Sequence, residues 1–181
     1  MIQYDQDAFI EFDDGVLAWV DNDSGLMWEV KSKENIGFMY VWHKNKVDDI
    51  AESCKPELEP EIRDCTSYVE RMNRELYAGF SDWRLPTKEE LQSLINNNGE
   101  VRYIKDPLRY NTCPAYWSDS PTMVVNVYKV SGAEWKDTAY IPGVHIVDFV
   151  KPDTLRYEPG NTLWIRCVRM ILPANSGHET K

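Results

Sequence analysis

With 181 residues, 43% of them apolar, the chain is long enough for one domain with a substantial core and short for two. Thirty aspartates and glutamates against 20 lysines and arginines leave a net charge of -10, which repels a phosphate backbone and argues against nucleic acid as a partner. No apolar run reaches the length that spans a bilayer, and Met1 to Asp5 has neither the basic nor the apolar part of a signal peptide, so no membrane partner is expected and the chain as given reads as cytoplasmic, or as surface or extracellular if an export signal has been removed.

In chain order, Gly15 to Val20 and Leu26 to Val30 flank the turn-rich Asp21-Asn22-Asp23-Ser24-Gly25 and predict a β-hairpin with Gly25 at positive φ. The Asp21, Asp23 spacing also suggests a calcium loop, but Leu26 and Ser32 stand where an EF-hand needs glycine and glutamate, so a turn is preferred. Residues 48 to 64 hold seven acids with Pro56 and Pro60 among them and read as a solvated acidic loop. Cys65, Tyr68, Val69, Met72 and Leu76 then fall on one face of a helix predicted from Thr66 to Leu76 and stopped before Gly79. Thr87 and Glu90 form a capping box for a second helix, with Leu91, Leu94 and Ile95 as its buried face and 96 to 99 as its end.

Beyond residue 100 the helical period gives way to apolar runs at 122 to 128, 144 to 150 and 163 to 170, which are strand candidates. Strands, then two helices, then strands predict an α+β fold within a single domain, 1 to 172, followed by a frayed tail, 173 to 181. By the period of two, Arg166 and Arg169 lie on opposite faces of the last strand, and Cys167 shares a buried face with Leu163, Ile165 and Ile171.

The chemistry-bearing residues are sparse. Cys54, Cys65, Cys113 and Cys167 lie 11, 48 and 54 residues apart with no C-x-x-C pair, and His43, His145 and His178 are scattered, which argues against zinc. No nucleophile motif or phosphate-binding glycine loop is present, so neither metal nor cofactor is expected and the chain reads as non-enzymatic. Ser81-Asp82-Trp83-Arg84 is read as structural: Trp83 fills the core, Asp82 accepts backbone donors, and Arg84 spans to a carbonyl or carboxylate.

Four segments in series carry a family resemblance: Asp23 to Trp28; Tyr77-Ala78-Gly79-Phe80-Ser81-Asp82-Trp83-Arg84-Leu85-Pro86-Thr87 running into Glu89-Glu90-Leu91; Tyr116 to Ser120; and Ile165 to Arg169. From about Val16 to Met170 the chain resembles the C-terminal domain family of the Legionella collagen-like adhesin, a domain of unknown function. The resemblance implies a C-type-lectin-like fold of the variety found in formylglycine-generating enzymes, with two helices packed on a small, mixed, loop-rich set of strands. Many members carry a cysteine in the first helix where this chain has Val69; Cys65, one turn earlier, is then the candidate partner of Cys167, and bridge and free thiols both stay open. The oxidase branch of the fold binds copper through a C-x4-C pair, which this chain lacks.

The expected function is a binding domain that recognises a carbohydrate or a protein through its loops. Adhesin relatives are associated with sulfated glycans, but a charge of -10 favours a neutral glycan or a basic protein surface. The alternatives are a divergent oxidase and a structural module of a bacterial or phage assembly; the oligomeric state is not legible. The longest connections, 102 to 117, 131 to 143 and 151 to 161, are the expected recognition loops. They supply the ligand-binding candidates Trp135, Tyr110, Asn111, Tyr116, Tyr140 and Tyr157, with Trp135 first because it stands among polar residues outside every family-like segment. Trp28, Trp83, Arg84, Trp117 and Cys167 are assigned to structure.

Overall fold

The computed structural model describes residues 9–12, 15–42, 64–98, 103–129 and 136–171. The first hairpin forms where the turn residues place it: β2 (Gly15–Asp21) pairs antiparallel with β3 (Leu26–Glu29), and Trp19 lies opposite Trp28. Gly25 adopts φ 69°, as a left-handed closing position requires, and its N–H donates to the Asp21 carbonyl at 3.0 Å. Asp21 is engaged by the Ser24 hydroxyl at 2.8 Å and by Lys105 at 2.7 Å, so its carboxylate serves the turn. β1 (Phe9–Phe12) and β9 (Val168–Met170) flank this pair, and the antiparallel order is β1-β2-β3-β9.

Of the acidic stretch, residues 48 to 63 lie outside the described residues. Its last member, Asp64, is the N-cap of α1 (Cys65–Arg74) and accepts from the Ser67 N–H at 2.9 Å. Cys65, Tyr68 and Met72 are buried along that helix as the spacing predicts, with Val69 partly buried. The helix nevertheless ends two residues early. Leu76 turns to φ 52° and ψ 49° and stands 57% exposed, because the chain reverses through a 3-10 turn at Tyr77–Gly79 before the Trp83 segment. The capping box of α2 (Lys88–Ser93) is formed in both directions, Glu90 N–H to Thr87 Oγ1 at 3.2 Å and Thr87 N–H to the Glu90 carboxylate at 2.8 Å. Leu91 and Leu94 are buried, and Ile95 is partly so.

The expected terminal strand is split. β8 (Thr162–Leu163) pairs with β4 (Tyr40–Val41), whereas β9 pairs with β3, so the chain changes sheets between them. In that crossing the Trp164 carbonyl accepts from the Trp117 N–H and the Cys167 carbonyl from the Glu29 N–H, each at 3.0 Å. Arg166 and Arg169 consequently do not divide between a buried and an open face; both are buried.

The third sheet, β5 (Ala115–Lys129), β6 (Lys136–Asp148) and β7 (Asp153–Tyr157), replaces much of what the sequence presents as loop. Residues 136 to 143 continue β6, and β7 occupies the middle of 151 to 161; between 102 and 115 a 3-10 turn spans Asp106–Asn111. At the base of this sheet Trp117, Val144 and Ile146 enter one core cluster while Tyr116 and Val147 enter another. Burial on both faces explains why 144 to 150 reads as a near-continuous apolar run without clean alternation. The architecture of the described residues is α+β, with two α-helices and antiparallel sheets. Among the described residues no helix is long and apolar enough to cross a membrane.

Candidate functional site

The segment Ser81 to Arg84 belongs to the scaffold. The Asn73 side-chain amide clamps the Trp83 backbone, accepting from its N–H at 2.8 Å and donating to its carbonyl at 2.9 Å, while the Trp83 indole donates to the Tyr77 carbonyl at 2.8 Å. Arg84 exchanges backbone hydrogen bonds with Val168, both 2.9 Å, and forks onto Glu90 at 2.7 and 2.6 Å. Burial pushes the Glu90 carboxyl up, but the Arg84 fork and the Thr87 N–H outweigh it and leave the group below its ordinary value. Asp82 does not accept backbone donors as expected; it pairs bidentately with Arg169 at 2.6 and 3.1 Å, and that guanidinium sits 3.8 Å from the Phe80 ring centroid.

Cys54 lies outside the described residues; the other three thiols are interior. Cys65, Cys113 and Cys167 are buried and form no disulfide among themselves, and burial pushes Cys65 and Cys167 well above the ordinary thiol range, with Cys167 adding to the rise at Cys65. Thiols in that condition stay protonated and make poor nucleophiles. Among the described residues no group of three histidines, cysteines or carboxylates is placed to hold a metal ion. His145 is half-buried, its Nδ1 3.1 Å from the Ser120 carbonyl oxygen.

What the sheet does present is an apolar face. Met123, Tyr140, Leu155 and Tyr157 are exposed by 46%, 68%, 37% and 37%. The register pairs Met123 with Pro142, Val125 with Tyr140, Ile146 with Leu155 and Val144 with Tyr157. Because alternate residues of a strand share a face, Tyr140, Pro142, Val144 and Ile146 of β6 define one side, and their partners on both neighbouring strands lie on it too. Four exposed apolar side chains from three strands thus share one side of the sheet, with the exposed prolines 121 and 142 among them. Along β6, Tyr140 and the partner of Tyr157 are four residues apart, about 13 Å at the usual rise. Toward the base the same side runs into the core through Trp117, whose ring meets Tyr157 edge-on at 6.3 Å between centroids. That contact anchors Tyr157 while leaving part of its ring open.

A bulge sets the geometry. Between Trp117 and Pro121 the register shifts, so that Ser118, Asp119 and Ser120 oppose His145 alone. Ser118 Oγ donates to the His145 carbonyl at 2.6 Å, the Asp119 N–H to Pro86 at 2.7 Å, and the Lys88 N–H to Ser120 Oγ at 2.9 Å, which ties the bulge to the N-terminus of α2. Burial raises the Asp119 carboxyl despite the opposing charge of Arg84. Just beyond, an added Cβ on Gly143 would stand 2.2 Å from Val124 Cγ2 and 3.1 Å from the Tyr157 carbonyl oxygen, so this position must be glycine for β5 and β7 to close on β6. Gly143→Ala is expected to destabilise the fold by roughly 1–3 kcal/mol through overpacking, measured by chemical denaturation. Adding Val124→Ala should recover part of that loss; an unaltered midpoint for Gly143→Ala alone would refute the close contact.

The sequence candidates divide accordingly. Tyr140 and Tyr157 share the exposed face. Tyr116 is corrected from ligand-binding to core: it is fully buried, its hydroxyl accepting from the Cys113 N–H at 2.7 Å and from Arg166 at 3.1 Å. Tyr110 and Asn111 sit in the 3-10 turn, their side chains outside what is described, and Trp135 lies outside the described residues. Trp28, Trp83, Trp117 and Cys167 are buried and Arg84 is half-buried. Sequence reasoning missed Met123, Leu155 and Pro142. Leu155 and Tyr157 alternate with charged and polar residues in Asp153-Thr154-Leu155-Arg156-Tyr157, an edge-strand signal hidden by assigning the whole connection to a loop.

The family model of the Lcl C-terminal domain matches residues 18–169, and the chain belongs to that family. Comparison with curated proteins gives no match, and comparison with solved structures gives none.

Proposed function

We propose that this chain is a non-enzymatic binding domain of C-type-lectin-like build, which takes a neutral carbohydrate or a basic protein surface on the exposed side of the β5–β6–β7 sheet. Membership of the Lcl C-terminal family supports a binding or structural role. The observation that carries the reading is the gathering of Met123, Tyr140, Leu155 and Tyr157 on one side of one sheet. Tyrosines suit both kinds of ligand, since the ring stacks on an apolar face while the hydroxyl keeps a polar contact. The net charge of -10 disfavours sulfated glycans and favours a neutral or basic ligand. Against the oxidase alternative stand the burial of Cys65 and Cys167, which keeps both thiols protonated, and the absence of a C-x4-C pair from the sequence.

The test compares the parent with Tyr140→Ala on a neutral-glycan array and in pull-downs from a native-host extract. Loss of Tyr140 should weaken retention of the ligand by at least about 1 kcal/mol with the melting temperature unchanged, as an exposed anchor requires. Ligands held equally by the parent and by a Tyr140→Ala, Tyr157→Ala double variant would remove this face from consideration.

A further inference from the structure

β5 and β6 run on as a two-stranded arm past the point where β7 stops, since the β6–β7 register ends at Val144 and Tyr157. A two-stranded ribbon is marginal in water by itself. Its two edges differ. The β6 edge carries Pro142, which has no N–H to offer. On β5, the Trp117 and Asp119 N–H groups donate to Trp164 and Pro86; after Ser120 the strand has no pairing other than with β6 among the described residues. Past Pro121, which like Pro142 offers no N–H, that edge is Thr122-Met123-Val124-Val125-Asn126-Val127-Tyr128: four β-branched residues and a tyrosine, with no further proline, no glycine and no charge. Proteins usually blunt such an edge, because an open row of backbone donors and acceptors on a strand of this composition recruits another strand.

We propose that the occupant is a second copy of this chain, paired antiparallel along the 122–128 edge about a two-fold axis near Val124, so that two three-stranded sheets become one of six strands. Charge selects this partner and this direction. The uncharged run is bounded by Asp119 at one end and Lys129 at the other. Antiparallel self-pairing beyond the bulge brings the Asp119 end of each run toward the Lys129 end of the other copy, whereas parallel pairing would bring like-charged ends together. Elsewhere, two chains of charge -10 repel, and the run from Ser120 to Tyr128 is uncharged. The isologous contact closes on itself and does not propagate into a fibre. It also brings two copies of the Met123 and Tyr140 face into one continuous sheet, giving a bivalent surface.

Sedimentation velocity of the full chain without any ligand tests this, and so separates it from the binding reading. The parent should show a concentration-dependent monomer–dimer equilibrium. K129D and D119K should each weaken the dimer by roughly tenfold, because each turns attraction into repulsion at both ends, and the D119K, K129D double variant should return to near-parent affinity. Hydrogen exchange of the parent guards against a misfolded variant: the 122–128 amides should slow as concentration rises through the dimer range. A parent that stays monomeric at all concentrations overturns the proposal, as does an oligomer indifferent to both charge reversals. Concentration-independent protection of 122–128 in the monomer would assign the edge to another part of this chain and overturn it equally.

Discussion

Trp83→Ala is expected to lower the unfolding free energy by roughly 3–5 kcal/mol, the range for deleting a large buried aromatic. Trp83 is 2% exposed in the core cluster that also holds Tyr68, Met72 and Cys167. Its ring meets Tyr77 edge-on at 5.6 Å, and its indole N–H satisfies the Tyr77 carbonyl within the 3-10 turn. That turn follows the left-handed Leu76 and contains the left-handed Ala78, both at φ 52°, a conformation that costs energy outside glycine and persists only when neighbours enforce it. Removing the indole therefore leaves a cavity and unpins a strained reversal at once. The Tyr77 hydroxyl, which donates to the Leu17 and Val30 carbonyls at 3.0 and 3.2 Å, would lose its backing as well. Denaturant unfolding measures the loss; a midpoint within error of the parent would mean that Asn73 and Tyr77 hold the reversal unaided.

Local chemistry is legible in this sequence and long-range pairing is not. The Gly25 turn, the Thr87–Glu90 box and the buried stripe of α1 are each decided within about a dozen residues, where spacing and capping speak directly. Periodicity misplaces the end of α1 because Leu76 keeps the apolar period while the tertiary turn at Tyr77–Gly79 overrides it. Residues 136 to 143 and 153 to 157 read as loop because Gly143, Pro142 and Pro152 dominate the composition there. In the fold, Gly143 serves a close strand contact, and Pro142 lies where β6 pairs only with β5 among the described residues. The candidate face suffers most from this. A side of a sheet is assembled from three strands whose register no single segment encodes, so the sequence points to Tyr140 and Tyr157 separately, adds Tyr116 by composition, and passes over Met123 and Leu155.

Glu29→Ala is expected to be comparably severe, by about 3–5 kcal/mol, because it strands a buried cation. Glu29 is fully buried; its carboxylate accepts from the Lys31 ammonium at 2.7 Å, the Tyr68 hydroxyl at 2.5 Å and the Cys167 N–H at 2.9 Å. Lys31, only 6% exposed, also donates to the Tyr68 hydroxyl at 3.0 Å and lies 4.4 Å from that ring's centroid. The carboxylate thus joins β3 to α1 and to the crossing at Cys167, while Arg166 holds the Glu29 carbonyl from the other side at 2.5 Å. With the carboxylate gone, a buried ammonium keeps one neutral hydroxyl and an aromatic face, too little to replace its hydration. Combining Glu29→Gln with Lys31→Met removes both charges at nearly constant volume, so the pair should unfold less easily than the Glu29→Ala single variant. Denaturant unfolding of Glu29→Gln, Lys31→Met and their double variant decides between the accounts. Costs of the single changes that simply add would show that the two charges do not depend on each other and that solvent reaches Lys31 in the folded chain.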